Sequence, residues 1–221
     1  MEKKRATALG LRKMAINFRK TEFIKSAPTF NERPDAFERE YLFVGKSNVG
    51  KSSLLNALCD NKNLAKTSSK PGHTTLLNYF SVDNAFYIVD APGYGYSSRG
   101  QQALINFGKM METYFFENPY LNGVLFLVDS RHIPTSDDID FYQFLMEQGI
   151  PFALILTKCD KLNQKKKAAI KKNLTNAFGD IDVPIILTSA LDKSSMKEVQ
   201  AQIEAWQEEN ESEETPTFGI N

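Results

Sequence analysis

Residues 41–58 read YLFVGKSNVGKSSLLNAL and decide the fold. The apolar run at 41–44 predicts a short strand, and the residues from Ser53 onwards predict the start of a helix. Between them lies the spacing G-x-x-x-x-G-K-[ST] of a phosphate-binding loop, in which backbone N–H groups surround phosphate oxygens. The positive end of the helix dipole strengthens such an anion site. We therefore predict that nucleotide phosphates are bound by Gly45, Lys46, Ser47, Asn48, Val49, Gly50, Lys51 and Ser52.

Two residues of this loop point to phosphoryl-transfer chemistry. Lys51 can stabilise negative charge on the outer phosphates, and the Ser52 hydroxyl can ligate Mg²⁺. An aspartate at a neighbouring strand end can hold Mg²⁺ through water, and a glycine N–H close to it can bond a γ-phosphate. A motif of this kind follows the apolar run at 85–89 and consists of Asp90, Ala91, Pro92 and Gly93.

A third motif identifies the base. Asp160 follows the apolar run at 152–156, and its carboxylate can accept hydrogen bonds from both N1–H and the N2 amino group of guanine. Adenine lacks this pair of donors, so a carboxylate here disfavours it. The stem of Lys158 can lie along the base, and a polar segment after the run at 183–187 can contact it with backbone groups. The predicted base-binding residues are Thr157, Lys158, Cys159, Asp160, Thr188, Ser189 and Ala190.

These motifs stand in the order of a small GTP-binding domain, and together they resemble the EngB-type GTPases. This family, also called YihA/YsxC, belongs to the TrmE-Era-EngA-EngB-Septin-like P-loop superfamily. The resemblance covers residues 21–207, and its most specific part is DAPGYGY together with the RH-x-PT-x-x-D segment at 131–138. The matching stretches are VGKSNVGKSSLLNAL, KPGHTTLLNYF, DAPGYGYSS, LVDSRHIPTSDDID, GIPFALILTKCDKL and ILTSA.

The resemblance implies a GTP-dependent switch that takes part in assembly of the large ribosomal subunit. It implies that Ser52 and Thr74 ligate Mg²⁺ and that Gly72, His73 and Thr74 contact the nucleotide from the first switch segment. It names Lys51, Asn48 and Thr74 as the residues closest to the chemistry. A different hypothesis is a GTP-gated binding module for a protein partner at the membrane or division site.

Hydrolysis is expected to be slow. Ras-like hydrolases orient the attacking water with a glutamine soon after the γ-phosphate-sensing glycine, whereas Tyr94 follows Gly93 here. A monovalent cation or the partner would then supply the missing function. Potassium-activated relatives carry an asparagine at the position of Asn48, which makes K⁺ a candidate cofactor beside Mg²⁺. Alternatively, Asn48 braces the loop through local hydrogen bonds.

Composition agrees with one α/β domain. The chain has 221 residues, 42% of them hydrophobic, and a formal net charge of zero. Its two cysteines, Cys59 and Cys159, form no disulfide framework or metal-binding spacing, which favours the cytoplasm. No apolar run is long enough to span a membrane. We expect a monomeric domain at 21–207, a basic N-terminal extension at 1–20, and an acidic, disordered tail at 208–221.

Apolar and amphipathic segments alternate along the chain, which predicts a Ras-like α/β fold with helices on both faces of a mostly parallel sheet. The strands at 77–82 and 85–90 are joined by two residues, so they should form an antiparallel hairpin. We predict six strands, near 40–45, 77–82, 85–90, 122–129, 152–157 and 183–188. We predict five helices, near 51–60, 100–117, 136–148, 163–178 and 193–209.

Two basic surfaces are candidates for contact with ribosomal RNA. One is the N-terminal extension, and the other is a helical stretch that carries Lys165, Lys166, Lys167, Lys171 and Lys172. The switch region adds Lys62, Lys66, Lys70 and Arg99. Each of these groups can also be an ordinary solvated surface, so the choice between the two interpretations stays open at this stage.

Overall fold

The computed structural model describes residues 15–65, 76–95 and 101–213, without the side chains at 101–104 and 209–213. Gly72, His73 and Thr74 therefore lie outside the described residues, as do Lys66, Lys70, Arg99 and residues 1–14. The strands are β1 Thr21–Ala27, β2 Glu40–Gly45, β3 Leu77–Val82, β4 Phe86–Asp90, β5 Leu121–Asp129, β6 Phe152–Thr157 and β7 Ile185–Leu187. The helices are α1 Lys51–Leu58, α2 Gln101–Glu117, α3 Ser136–Glu147, α4 Gln164–Phe178 and α5 Lys193–Glu213.

All of the described strands belong to one sheet, in the order β1-β3-β4-β2-β5-β6-β7. β3 is antiparallel to both of its neighbours, and the remaining pairs are parallel, so one strand runs against the other six. The hairpin between β3 and β4 turns at Asp83 and Asn84, whose φ angles of 48° and 53° suit a tight two-residue hairpin. The predicted hairpin and the single reversed strand are confirmed.

The predicted count of six strands is wrong, because β1 adds a seventh at the edge of the sheet. β1 pairs with β3 alone, and its register shifts between Phe23 and Lys25. Its sequence, TEFIKSA, lacks the regular alternation of apolar and polar residues that marks a half-buried strand. Most of its residues are at least partly exposed. An edge strand with an irregular register gives little periodicity to detect.

Helices cover both faces of the sheet, as predicted, and each face has its own apolar core. On one face, α2, α3 and α4 contribute Tyr114, Tyr142 and Leu174. On the other face, α1 and α5 contribute residues that include Leu55 and Trp206. The parallel strands β2, β5 and β6 are buried between these two layers, which explains their continuous apolar sequences.

The structure differs from both predicted boundaries of the domain. Phe18 is buried and its ring meets Phe86 edge-on at 6.1 Å, so the core includes residues that we had placed in the N-terminal extension. At the other end, α5 continues to Glu213, so helix occupies the first part of the segment for which we expected disorder. The long helix is fixed to the sheet at Trp206, because Gly123 leaves space for the indole that a Cβ would fill at 2.5 Å.

Candidate functional site

The phosphate-binding motif forms the connection between β2 and α1, at the carboxyl edge of the parallel strands. A Cβ at Gly45 would lie 2.6 Å from the carbonyl oxygen of Leu127, so this position needs glycine for close approach to β5. Asn48 and Gly50 adopt positive φ angles of 64° and 114°, which turn the chain sharply before α1 starts at Lys51. The loop therefore has the curvature and the following helix that a phosphate site requires.

The base-recognition motif is fastened to this loop, although the two lie over 100 positions apart in the sequence. The Thr157 hydroxyl donates to the carbonyl of Val49 at 2.7 Å, and Lys158 Nζ donates to the carbonyl of Asn48 at 2.6 Å. Lys158 also lies 2.9 Å from Asp129. These contacts give Thr157 and Lys158 a role in shaping the loop, which the spacing of the motif did not reveal.

Asp129 is a site residue that our sequence analysis missed. It accepts hydrogen bonds from both Lys158 and Arg131, at 2.9 and 2.7 Å. Burial raises the pKa of Asp129, but these hydrogen bonds outweigh that effect and lower the pKa to about 2. The carboxylate is thus ionised at neutral pH and holds Lys158 in place. Its position at the end of an apolar strand was the available signal, as it was for Asp90.

The two predicted base-binding segments meet in space. Ser189 donates a hydrogen bond to Asp160 at 2.8 Å, which lowers the pKa of that carboxyl and keeps it ionised. The backbone N–H of Cys159 donates to the carbonyl of Thr188 at 3.0 Å. The Cys159 thiol points inwards to the carbonyl of Leu156, and burial raises its pKa, so this side chain is passive packing. An oriented carboxylate at Asp160 is the group that guanine's two donors require.

Asp90 is the residue whose surroundings best fit a bound metal ion. It is 5% exposed, and its Oδ1 atom has no hydrogen-bond partner within the described part of the chain. Burial raises the pKa of Asp90, and Lys51, whose Nζ lies 3.7 Å from Oδ1, opposes that shift. An unsatisfied carboxylate oxygen beside Lys51 and the first turn of α1 fits a Mg²⁺ ion bound with its water to Ser52 and nucleotide phosphates. Thr74, the other predicted ligand, lies outside the described residues.

The γ-phosphate-sensing segment packs directly on the phosphate-binding loop. A Cβ at Gly93 would lie 2.7 Å from Ser47 Cα, so a side chain at this position would displace one of the two backbones. The next residue, Tyr94, forms an isolated parallel bridge with Lys46. Ala91 and Pro92 are buried on the way from β4. The predicted site residues that the structure describes therefore meet at one edge of the sheet.

The family model described as 50S ribosome-binding GTPase matches residues 40–158. A probable GTP-binding protein EngB from Geobacillus kaustophilus is 43% identical over 79% of this chain and 90% of its own length. Another, from Mesoplasma florum, is 44% identical over 82% of this chain and 92% of its own. This chain belongs to the EngB family of GTP-binding proteins. The EngB family is a family of P-loop GTPases, and GTPases generally use Mg²⁺ with the nucleotide.

Solved structures agree with the fold. A crystal structure of a probable GTP-binding protein EngB aligns with a TM-score of 0.59 at 22% identity, over 77% of this chain and 99% of its own. A structure of Era in complex with MgGDPNP and part of 16S ribosomal RNA aligns with a TM-score of 0.59 at 23% identity, over 78% of this chain and 57% of its own. At these identities, the likeness to solved EngB and Era structures shows the fold alone. Among the described helices of this EngB-family chain, none is long and apolar enough to cross a membrane.

Proposed function

We propose that this EngB-family protein is a slow GTPase that acts, as a cytoplasmic monomer, as a nucleotide-dependent switch on the assembling large ribosomal subunit. The main support for a ribosomal partner is the surface of α4. Its five lysines, from Lys165 to Lys172, are exposed, and none forms an ion pair with another described residue. The helix contains no acidic residue. An uncompensated basic face of this kind suits the phosphates of ribosomal RNA.

The nucleotide site supplies the switch in this proposal. Asp160 pairs with guanine, Lys51 stabilises charge on the transferring phosphoryl group, and Ser52 with Thr74 ligates Mg²⁺. Gly93 donates its N–H to the γ-phosphate, a contact that GDP cannot make. Because a ligand shifts a conformational equilibrium only through contacts that differ between states, Thr74 and Gly93 are the residues that read the nucleotide.

The base assignment has its own test. Asp160→Asn should lose affinity for GTP and gain affinity for xanthosine triphosphate, in which a carbonyl replaces the amino group of guanine. Loss of a charge-assisted hydrogen-bond pair should cost about 1.5–3 kcal/mol of GTP binding. Competition binding with GTP, ATP and xanthosine triphosphate measures this change, and equal wild-type affinity for ATP and GTP would contradict guanine recognition.

A monovalent cation is proposed to assist hydrolysis at Asn48. Its backbone carbonyl is occupied by Lys158, but its exposed side chain makes no hydrogen bond to the described residues. This favours the cation interpretation over local bracing of the loop. Hydrolysis should be faster in KCl than in NaCl at equal ionic strength, and Asn48→Ala should remove the difference. Identical wild-type rates in the two salts would contradict a role for K⁺.

Sedimentation with purified large ribosomal subunits tests the partner. The protein should pellet with subunits in the presence of a non-hydrolysable GTP analogue and release in GDP. Thr74→Ala should still bind nucleotide but lose the analogue-dependent pelleting. Pelleting that is indifferent to both nucleotide and salt would contradict the ribosomal proposal and favour a protein partner at the membrane or division site.

A further inference from the structure

The two stretches that are most specific to the family contact each other. Tyr94, from the DAPGYGY stretch, donates a hydrogen bond from its hydroxyl to Asp138 Oδ1 at 2.7 Å. Asp138 is the last residue of the RH-x-PT-x-x-D segment. The Tyr94 ring also stacks on Phe141, one turn further along α3, with ring centroids 5.5 Å apart. The tyrosine is thus held at its ring and at its hydroxyl.

The backbone of Tyr94 is joined to the phosphate-binding loop at the same time. The N–H of Ser47 donates to the carbonyl of Tyr94 at 2.9 Å, and the N–H of Tyr94 donates to the carbonyl of Gly45 at 3.3 Å. Gly93 lies between these bonds and the end of β4, in close contact with Ser47. The position of the Gly93 N–H therefore depends on where Tyr94 is held.

Asp138 is a rigid acceptor. Its Oδ2 atom accepts from both the backbone N–H and the hydroxyl of Thr135, at 2.8 and 2.7 Å, in the capping box that starts α3. Thr135 in turn accepts from Lys46 Nζ at 3.2 Å. Burial and the charge of Asp138 raise the pKa of Tyr94, so its hydroxyl remains a donor at neutral pH. The acceptor for Tyr94 is thus fixed by the helix cap and by the loop itself.

We infer that Tyr94 and Asp138 form a positioning pair that sets the Gly93 N–H for the γ-phosphate before nucleotide binds, and so determines the preference for GTP over GDP. The inference rests on the proposed function of this site. When the ligand binds, the free-energy cost of ordering a donor that is already in place is smaller than the cost of ordering a donor on an unrestrained loop. Only a nucleotide with a γ-phosphate gains from this, because GDP has no group for Gly93 to contact.

Tyr94→Phe is the direct test, because it keeps the ring stack on Phe141 and removes the hydrogen bond to Asp138. The affinity for a non-hydrolysable GTP analogue should fall by about fivefold or more, while the affinity for GDP stays the same. Asp138→Asn should weaken the same preference, and it should add nothing in a Tyr94→Phe background, since the two residues act as one unit. Equilibrium titration of each variant with both nucleotides measures these effects.

Tyr142→Phe is the matched control. Tyr142 also lies on α3, and its buried hydroxyl has no hydrogen-bond partner among the described residues. This change should leave the ratio of the two affinities unaltered. If Tyr94→Phe lowers the affinity for both nucleotides equally, or changes neither affinity, the positioning role is overturned. The assignment of the nucleotide site is unaffected by that result. If the wild type binds no guanine nucleotide, the inference and the proposed function both fail.

Discussion

At the scale of single residues, the orientation of Asp160 depends on Ser189. The Ser189 hydroxyl donates to Asp160 Oδ1, and Lys161 lies 3.2 Å from the other carboxylate oxygen. Ser189 also caps its own loop, where its hydroxyl oxygen accepts from the N–H of Leu191. One hydroxyl therefore joins the two segments that are proposed to bind the base.

We expect Ser189→Ala to weaken GTP binding by about tenfold, which corresponds to about 1.4 kcal/mol, through loss of a hydrogen bond to a charged acceptor. Isothermal titration with GTP and GDP should show the same loss for both nucleotides, because both carry guanine. Ser194→Ala is the control, since Ser194, in the first turn of α5, makes a similar bond to Asp192 at 2.8 Å. If both variants bind like the wild type, Ser189 does not orient Asp160.

A second prediction at this scale concerns acid. The folded pKa of Asp129 is about 2, below its ordinary value of 3.8, so its ionised form is stabilised by folding. That contribution is fully present above the ordinary value and is lost as pH falls through the folded value. Asp129→Asn should therefore unfold at a lower urea concentration than the wild type at pH 7, and the difference should shrink between pH 4 and 2. A difference that is the same at pH 7 and pH 3 would contradict this.

The site residues that could be predicted from sequence are those whose chemistry follows from their own type and spacing. Lys51, Asp90 and Asp160 are of this kind, because each belongs to a short motif that follows a strand-forming apolar run. Asp129 also stands at the end of an apolar run, but neither its role nor the role of Asp138 follows from residue type and spacing. Their partners, Lys158 and Tyr94, lie far away in the sequence and meet them only when the parallel strands end at a common edge. Long-range pairing of polar groups leaves no local pattern.

At the scale of elements, a buried ion pair anchors the end of the sheet opposite the nucleotide site. Glu40, at the start of β2, is fully buried, and Arg33 Nε donates to one carboxylate oxygen at 2.6 Å. Tyr114 and Asn118 donate to the other oxygen at 2.8 and 2.9 Å. The end of α2 is thereby joined to the sheet. α2 follows the γ-phosphate-sensing segment in the chain. This ion pair therefore limits the motion of the C-terminal end of α2.

Glu40→Ala should destabilise the fold by about 3–5 kcal/mol, because it leaves the largely buried Arg33 guanidinium without its carboxylate partner. Urea unfolding at pH 7 measures the loss. The exposed neighbour Glu38 provides a control, and Glu38→Ala should change the free energy of unfolding by less than about 0.5 kcal/mol. Where Glu40→Ala remains folded, its ratio of GTP to GDP affinity should match the wild type, because the pair lies at the amino end of the strands. A changed ratio would mean that α2 transmits the loss of this ion pair to the γ-phosphate-sensing segment.

Element types were predictable because most strands and helices here are long or strongly periodic. β2, β5 and β6 are continuous apolar runs between turn signals, and the two-residue link at Asp83 and Asn84 could only be a hairpin. β1 and the end of α5 were not predictable, for different physical reasons. The edge strand has one neighbour and an irregular register, and the acidic end of α5 is helical through continuity with the packed turns before it.

At the scale of the whole molecule, α2, α3 and α4 lie in one layer on the same face of the sheet. The lysine-rich surface of α4 is therefore separated from the γ-phosphate-sensing segment by α3. Its lysines do not contact the nucleotide motifs through any described hydrogen bond or ion pair. A partner that spans both regions would thus meet a constant basic face and a face that depends on nucleotide.

These two faces should separate in an experiment with ribosomal subunits. Reversing Lys166 and Lys171 to Glu should weaken binding in every nucleotide state and reduce its salt dependence, since each phosphate contact releases counterions. GTP affinity should not change. Lys109 and Lys197, exposed on α2 and α5, provide a double reversal of equal charge that should have a smaller effect. Pelleting across a series of KCl concentrations, with GDP and with a GTP analogue, measures both the strength of subunit binding and its salt dependence. An equal loss in the two double variants would assign binding to overall charge and would contradict α4 as the RNA-facing surface.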